Sequence, residues 1–292
     1  MQYVGAYTAL VTPFKNGTVD EERYREFIEW QISEGIDGLV PCGTTGESAT
    51  LTHQEHEEVI RICIDQVKKR VPVIAGAGSN NTFEAIRLTN FAKEAGATAA
   101  LHITPYYNKP TQQGLFEHFK AIGSAVDLPI LVYNVPGRTS VNIAAATMGR
   151  MFREIPNVVG IKEATGNMTH VSDIIECCGS GLDVLSGDDF TVLPLLALGG
   201  TGVISVVSNL LPRKMADMCA AFRVGDIATA RKLHYSMMPI SRACFVETNP
   251  IPVKTALAKM GWMDDEVRLP LVPMQPENEK VLDAALRDLA LI

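Results

Sequence analysis

An α/β architecture, a (β/α)8 TIM barrel with a C-terminal helical extension, is predicted by three features of this sequence. Short β-branched or apolar runs alternate with helical patterns eight times, at intervals of roughly 20–35 residues, the rhythm of βαβ units in a parallel sheet. No long break interrupts the eight units, which favours a closed barrel over an open doubly wound sheet. No Gly-x-Gly-x-x-Gly follows the first strand, which argues the same way. The 292 residues exceed the roughly 250 that such a barrel needs, leaving material for the extension.

The first strand is expected at residues 7–11 (YTALV), stopped by Thr12-Pro13. Asp20 can cap a helix that presents Tyr24, Phe27, Ile28 and Ile32 on one face, and Gly35 ends it. Strands follow at residues 38–42, 72–75, 98–103, 129–133, 158–162, 182–186 and 202–206. Helical patterns fill the gaps, as at 56–69, 82–95, 113–124 and 168–177. Beyond a helix at 215–222 the alternation stops. Residues 226–238, 253–260 and 277–291 read as three helices without intervening strands, joined by proline-rich connectors such as Asn249-Pro250-Ile251-Pro252. The expected division is a catalytic barrel over residues 1–224 and a three-helix extension over 225–292.

Composition narrows the function. Hydrophobic residues make up 47% and charged residues 20%, enough for a large core and without the signature of disorder. A formal net charge of -7 disfavours nucleic acid or an anionic membrane as partner. No apolar run approaches the roughly 20 residues of a membrane span. The opening MQYVGAYTALVTPF lacks the basic start of a signal peptide and reads as a strand entering the fold. Six cysteines are scattered, with Cys177-Cys178 adjacent and no CxxC spacing, so buried reduced thiols in a cytoplasmic protein are expected.

Barrel enzymes place their chemistry where strands end, and the residues there form a coherent set. Residues 158–165 (VVGIKEAT) carry Lys162 at the end of a β-branched run. A buried ammonium is costly unless it is paired or gives up its proton, and an amine that loses its proton becomes a nucleophile able to form a Schiff base. A snorkelling side chain or one half of an ion pair is the plainer alternative. Glu163 is a poor partner for that pair, because successive strand residues point to opposite faces. After the second strand, Gly43-Thr44-Thr45-Gly46-Glu47-Ser48 offers amides and two hydroxyls for a carboxylate, in a turn that glycine permits. A phosphate-binding reading is weaker, since the Gly-Lys-Ser/Thr of a P-loop is missing. Tyr106-Tyr107 follow the fourth strand, Tyr133 ends the fifth ahead of Arg138, and Ser186-Gly187-Asp188-Asp189 follow the seventh. A phenol can shuttle protons beside an amine, and an arginine can grip a carboxylate.

Seven segments carry a resemblance to the dihydrodipicolinate synthase family of pyruvate-dependent class I aldolases. They are GTTGES (43–48), TPYYNKP (104–110), YNVPGRT (133–139), GIKEATG (160–166), LSGDD (185–189), GVISV (202–206) and NPIPVK (249–254), in family order through nearly the whole chain. The resemblance implies that Lys162 forms a Schiff base with pyruvate and that its enamine attacks aspartate semialdehyde, starting the diaminopimelate and lysine pathway with no cofactor or metal. It implies a proton relay of Tyr133, Thr44 and Tyr107, the last reaching across from a neighbouring subunit. Thr44 and Thr45 are implied as carboxylate ligands of pyruvate, Arg138 as the clamp on the semialdehyde, and Gly187 and Ile204 as backbone lining. A homotetramer built from two dimers is implied as well.

Regulated members of the family bind lysine through residues matching Ser48, Ala49, His53, His56, Asn80, Glu84 and Tyr106. Against an effector site, Thr52–Glu55 and Asn81–Glu84 both read as helix capping boxes, and His53 and His56 as surface residues of a first turn. A metal site from the two histidines lacks a third ligand of fitting spacing. The rival activities are another pyruvate aldolase, such as N-acetylneuraminate lyase or a 2-keto-3-deoxy sugar acid aldolase, and a non-catalytic barrel that binds a keto acid. Arg138 and Tyr107 favour the synthase, since a sugar calls for hydroxyl partners where a semialdehyde calls for a cation.

Overall fold

The computed structural model describes residues 2–292. Eight parallel strands form one sheet: β1 (Gly5–Ala9), β2 (Gly38–Val40), β3 (Ile74–Gly76), β4 (Ala99–Ile103), β5 (Ile130–Asn134), β6 (Val158–Glu163), β7 (Asp183–Ser186) and β8 (Gly202–Ser205). Their order in the sheet is β2-β1-β8-β7-β6-β5-β4-β3, sequential except that β1 pairs with β8 and that β2 and β3 stand at the two ends, which is the strand order of a (β/α)8 barrel. The helices are α1 (Glu21–Ser33), α2 (His53–Val67), α3 (Thr82–Ala95), α4 (Gln112–Ala125), α5 (Pro136–Thr139), α6 (Ala145–Glu154), α7 (Met168–Cys178), α8 (Val192–Ala197), α9 (Pro212–Arg223), α10 (Ile227–Cys244), α11 (Ile251–Lys259) and α12 (Pro276–Asp288).

The chain forms two compact units. One comprises the residues up to Gly5 with Val73–Ile204. Its strands are buried on both faces, as the β-branched runs foretold. Ile130, Val132, Val158, Ile161 and Val184 face outward into a core with Leu115, Phe116, Phe119, Met148 and Ile174 from α4, α6 and α7. Register sets the chemistry: Tyr133 on β5 pairs with Lys162 on β6, and Asn134 with Glu163. The register shifts between Ile130 and Leu131, where Val159 of β6 is the extra residue, and this sets that alignment. On β8, Gly202 sits where a Cβ would lie 2.0 Å from the Gly5 carbonyl oxygen, so only glycine fits. The N–H of Gly5 donates to the Thr201 carbonyl at 2.9 Å.

The second unit joins Ala6–Pro72 to Ser205–Ile292. Here β1 pairs with β2, Tyr7 opposite Gly38 and Ala9 opposite Val40. The N–H of Leu39 reaches the Pro72 carbonyl at 3.0 Å, extending the sheet to the residues that lead into β3. Asp20 caps α1 as expected, and the helix buries Tyr24, Phe27 and Ile28. Trp30 stacks on Trp262 with centroids 4.6 Å apart.

Several boundaries differ from the sequence reading, for identifiable reasons. The second strand ends at Val40 rather than residue 42, because Pro41 has no N–H and Cys42 turns left-handed at φ 55. The helix expected to end at 238 continues to Cys244 through Pro239, since Ile240, Ser241, Ala243 and Cys244 are buried and packing outweighs one lost hydrogen bond. Ile251 and Pro252, read as connector, open α11, whose first turn tolerates proline. The helices α6 and α8 fill the gaps after β5 and β7, where a helix was expected without stated bounds; the one-turn α5 and an antiparallel ribbon of Phe14–Lys15 with Thr18–Val19 were not foreseen.

Candidate active site

Lys162 is 7% exposed, at the carboxyl end of β6. Its Nζ lies 4.2 Å from the centroid of the Tyr133 ring, across the register pair. Burial pulls the amine down from an ordinary 10.5 to about 7; Asp189 opposes that shift and Arg138 reinforces it. A lysine in this state is deprotonated in a useful fraction near neutrality, as a Schiff-base nucleophile must be.

Glu163 is occupied elsewhere, as strand alternation requires. Its carboxylate accepts Asn134 Nδ2 at 2.8 Å and the Thr165 N–H at 2.7 Å, with His170 Nε2 at 3.8 Å. Asn134 Nδ2 also donates to Asn142 Oδ1 at 2.8 Å, and its Oδ1 accepts the Ile143 N–H. These bonds fix the chain beyond Tyr133 and Lys162. Gly187 donates its N–H to the Glu163 carbonyl at 2.7 Å. A Cβ at Gly187 would stand 2.7 Å from the Ala164 Cβ and 3.1 Å from Lys162 Cε. Ile204 is buried in β8. Lys162, Tyr133, Arg138 and Gly187 are thus brought together within the first unit.

In the second unit, the turn after β2 is tightened by three amides. Gly46 and Ser48 donate to the Gly43 carbonyl, and Glu47 donates to Thr44. The positive φ values of this stretch belong to Cys42 (55) and Glu47 (53) rather than to its glycines. Gly46 serves close packing instead, since a Cβ there would lie 3.0 Å from the Leu10 carbonyl oxygen. Thr44 is half-buried and Thr45 buried, with Thr45 Oγ1 accepting Asn249 Nδ2 at 2.9 Å. Glu47 Oε1 is 2.7 Å from Lys254 Nζ, both side chains buried. Burial lowers the Lys254 pKa, and Glu47 opposes that shift.

The residues matched to an effector site fall in both units. Asn80 Nδ2 donates to the Tyr106 carbonyl at 3.2 Å, and the negative charge of Glu84, after burial, raises the Tyr106 phenol pKa, so these three lie together. Glu84 also accepts the Ser79 hydroxyl. Ser48 and Ala49 sit in a 3-10 turn, and His53 opens α2 exposed. His56 is 6% exposed, which corrects its reading as a surface residue. The Thr52–Glu55 capping box is present, and Glu55 additionally pairs with Arg268 at 2.5 Å. Tyr107 is 90% exposed with φ 67, a left-handed backbone uncommon for an aromatic residue.

Asp189, Glu163, Asn249 and Lys254 were given no role by the sequence reading. The Asp189 charge was visible in LSGDD and Lys254 in NPIPVK, but their partners are distant in sequence.

Comparison with known proteins agrees with this geometry. The model of the Dihydrodipicolinate synthetase family matches residues 2–289. A 4-hydroxy-tetrahydrodipicolinate synthase of Nitratidesulfovibrio vulgaris (strain DP4) is 68% identical over 282 residues, covering 97% of each chain. A dihydrodipicolinate synthase of Acinetobacter baumannii, solved with pyruvate, superposes with a TM-score of 0.97 at 46% identity over 99% of both chains. That of Cyanidioschyzon merolae, solved with lysine bound, gives a TM-score of 0.96 at 40% identity, again over 99% of both.

Proposed function

We propose, from the premise that this chain belongs to the dihydrodipicolinate synthetase family, a division of labour among its residues. The activity is that of a 4-hydroxy-tetrahydrodipicolinate synthase, a lyase of lysine and diaminopimelate biosynthesis. The observation that carries the residue assignment is the buried Lys162 amine, held at about 7 beside Tyr133 and Arg138.

In this reading the Lys162 lone pair attacks the pyruvate keto carbon, and water leaves as the imine forms. Loss of a methyl proton gives an enamine, whose carbon bonds to the aldehyde carbon of aspartate semialdehyde while the aldehyde oxygen gains a proton. The semialdehyde amine then displaces Lys162 from the imine carbon, closing the ring and freeing the lysine. Tyr133, Thr44 and Tyr107 relay the protons. Thr44 and Thr45 hold the pyruvate carboxylate through hydroxyls and the two amides that the turn does not consume. Arg138 holds the semialdehyde carboxylate. Gly187 and Ile204 line the pyruvate pocket with backbone groups.

Tyr107, exposed and held in a left-handed backbone, is read as reaching a neighbouring subunit's site in a homotetramer of two dimers. Ser48, Ala49, His53, His56, Asn80, Glu84 and Tyr106 are read as a lysine effector site, supported by the proximity of Asn80, Glu84 and Tyr106. The barrel spans residues 1–224 and the extension 225–292, in keeping with α9 ending at Arg223 and α10 starting at Ile227. No helix among the described residues is long and apolar enough to cross a membrane. Among the described residues no disulfide joins the cysteines: Cys42, Cys63, Cys219 and Cys244 are buried as expected, whereas Cys177 is exposed and Cys178 half-buried, and unbridged thiols fit a reducing cytoplasm.

Treatment with pyruvate and borohydride should leave a stable mass adduct on Lys162, and Lys162→Ala should show none. An adduct on the Ala variant refutes the assignment. Turnover with both substrates should fall as lysine reaches millimolar levels; unchanged rates would remove the effector site.

A further inference from the structure

The turn that carries Thr44 and Thr45 is held by side chains 204 and 207 residues further along the chain. Glu47 closes that turn at φ 53, a conformation that a non-glycine residue keeps only where its surroundings impose it. Its carboxylate meets that condition. Oε1 accepts the Lys254 ammonium at 2.7 Å, and Oε2 accepts the Arg268 N–H at 3.1 Å. Lys254 is fully buried in α11, with its Nζ 4.2 Å from the centroid of Phe14. The Arg268 guanidinium lies 4.3 Å from the same ring. Thr45 Oγ1 accepts Asn249 Nδ2 at 2.9 Å. A hydroxyl oxygen that accepts from an amide keeps its own hydrogen for another acceptor.

We propose that Lys254, Glu47 and Asn249 are positioning residues for the keto-acid carboxylate. The buried ion pair locks the turn, and Asn249 commits the Thr45 hydroxyl to donate toward the substrate. This rests on the reading of Thr44 and Thr45 as the carboxylate ligands. Stability alone gives little reason for such a pair, because well-packed apolar residues of similar volume commonly serve as well or better. Geometry is what an apolar pair would not supply, since neither methionine nor leucine holds a turn by directed bonds.

The test uses the full chain and reads KM separately for pyruvate and for aspartate semialdehyde. Thr45→Val comes first: a raised pyruvate KM upholds the underlying reading, and a parental value sinks that reading together with this proposal. Lys254→Met alone leaves a buried carboxylate without its cation and is liable to unfold. The double variant Glu47→Leu/Lys254→Met removes both charges and should fold. Its pyruvate KM should rise about ten-fold, as expected for a misplaced binding group, with the semialdehyde KM unchanged. Lys254→Arg, which keeps the cation, should recover part of that loss. Asn249→Ala should show the same split between the two substrates, and it carries the test if the double variant does not fold. A parental pyruvate KM in either folded variant, with Thr45→Val impaired, overturns the positioning role alone.

Discussion

Replacing Lys162 with methionine should make the fold more stable at neutral pH while abolishing imine formation. The amine titrates at about 7 in the folded chain and at an ordinary 10.5 when exposed. Between those values the unfolded chain binds more protons than the folded one, so stability rises with pH across the window. Folding at pH 7 must therefore strip a proton from, or bury a charge on, this one side chain. For an amine moved from 10.5 to about 7, the linkage integral puts that cost at roughly 4 kcal/mol at pH 7 and below about 1 kcal/mol by pH 10. At 7% exposure, Lys162 needs little discount for solvent screening. Methionine is of similar length and carries no charge, so it removes the cost while filling the space. The assay is thermal or urea unfolding of both proteins from pH 6 to pH 10, taking the difference so that every other titrating group cancels. The variant should lead at pH 7, and its lead should close as pH rises. A constant gap, or a variant less stable than the parent at pH 7, would refute the burial argument.

Arg138→Ala removes a positive charge that helps to depress the Lys162 amine. The pH at half-maximal imine formation should move upward, and semialdehyde use should suffer far more than pyruvate capture. Equal damage to both steps would contradict the clamp role. Gly187→Ala would set a methyl 2.7 Å from the Ala164 Cβ and 3.1 Å from Lys162 Cε. Borohydride trapping at limiting pyruvate should fall at least about ten-fold, given the strictness of near-attack geometry. Trapping at the parental rate would show that the backbone there yields freely.

Much of this molecule was legible in its sequence because parallel strands and amphipathic helices write their period directly into the chain. Lys162 stood out because a β-branched run that ends in an ammonium contradicts its own surroundings. Glu163 could be set aside by alternation alone, and its carboxylate does bond to Asn134 and Thr165. The glycines of residues 43–48 marked a turn but not how it is made, since Gly is equally the mark of a left-handed turn and of a tight packing contact, and Gly46 serves the second. His56 misled for a related reason. A first-turn position implies exposure only when nothing packs over it, and here His56 is buried. The Glu47–Lys254 pair was out of reach of local pattern, because no periodicity links positions 207 residues apart. Its charges were visible, but their partnership is a product of the tertiary fold.

The lacing of β1 reaches into the order in which the chain is made. Gly5 bonds to Thr201, Val11 to the Asn209 side chain, and Asn209 in turn to Ala9. While β2 can satisfy one margin of β1 early, the other margin waits until residue 209 has left the ribosome. At typical synthesis rates that delay is on the order of 10–40 s. A half-satisfied strand held open for so long is a template for pairing with a stranger. Of the eight strands, β1 is thus translated first and is among the last to be completed.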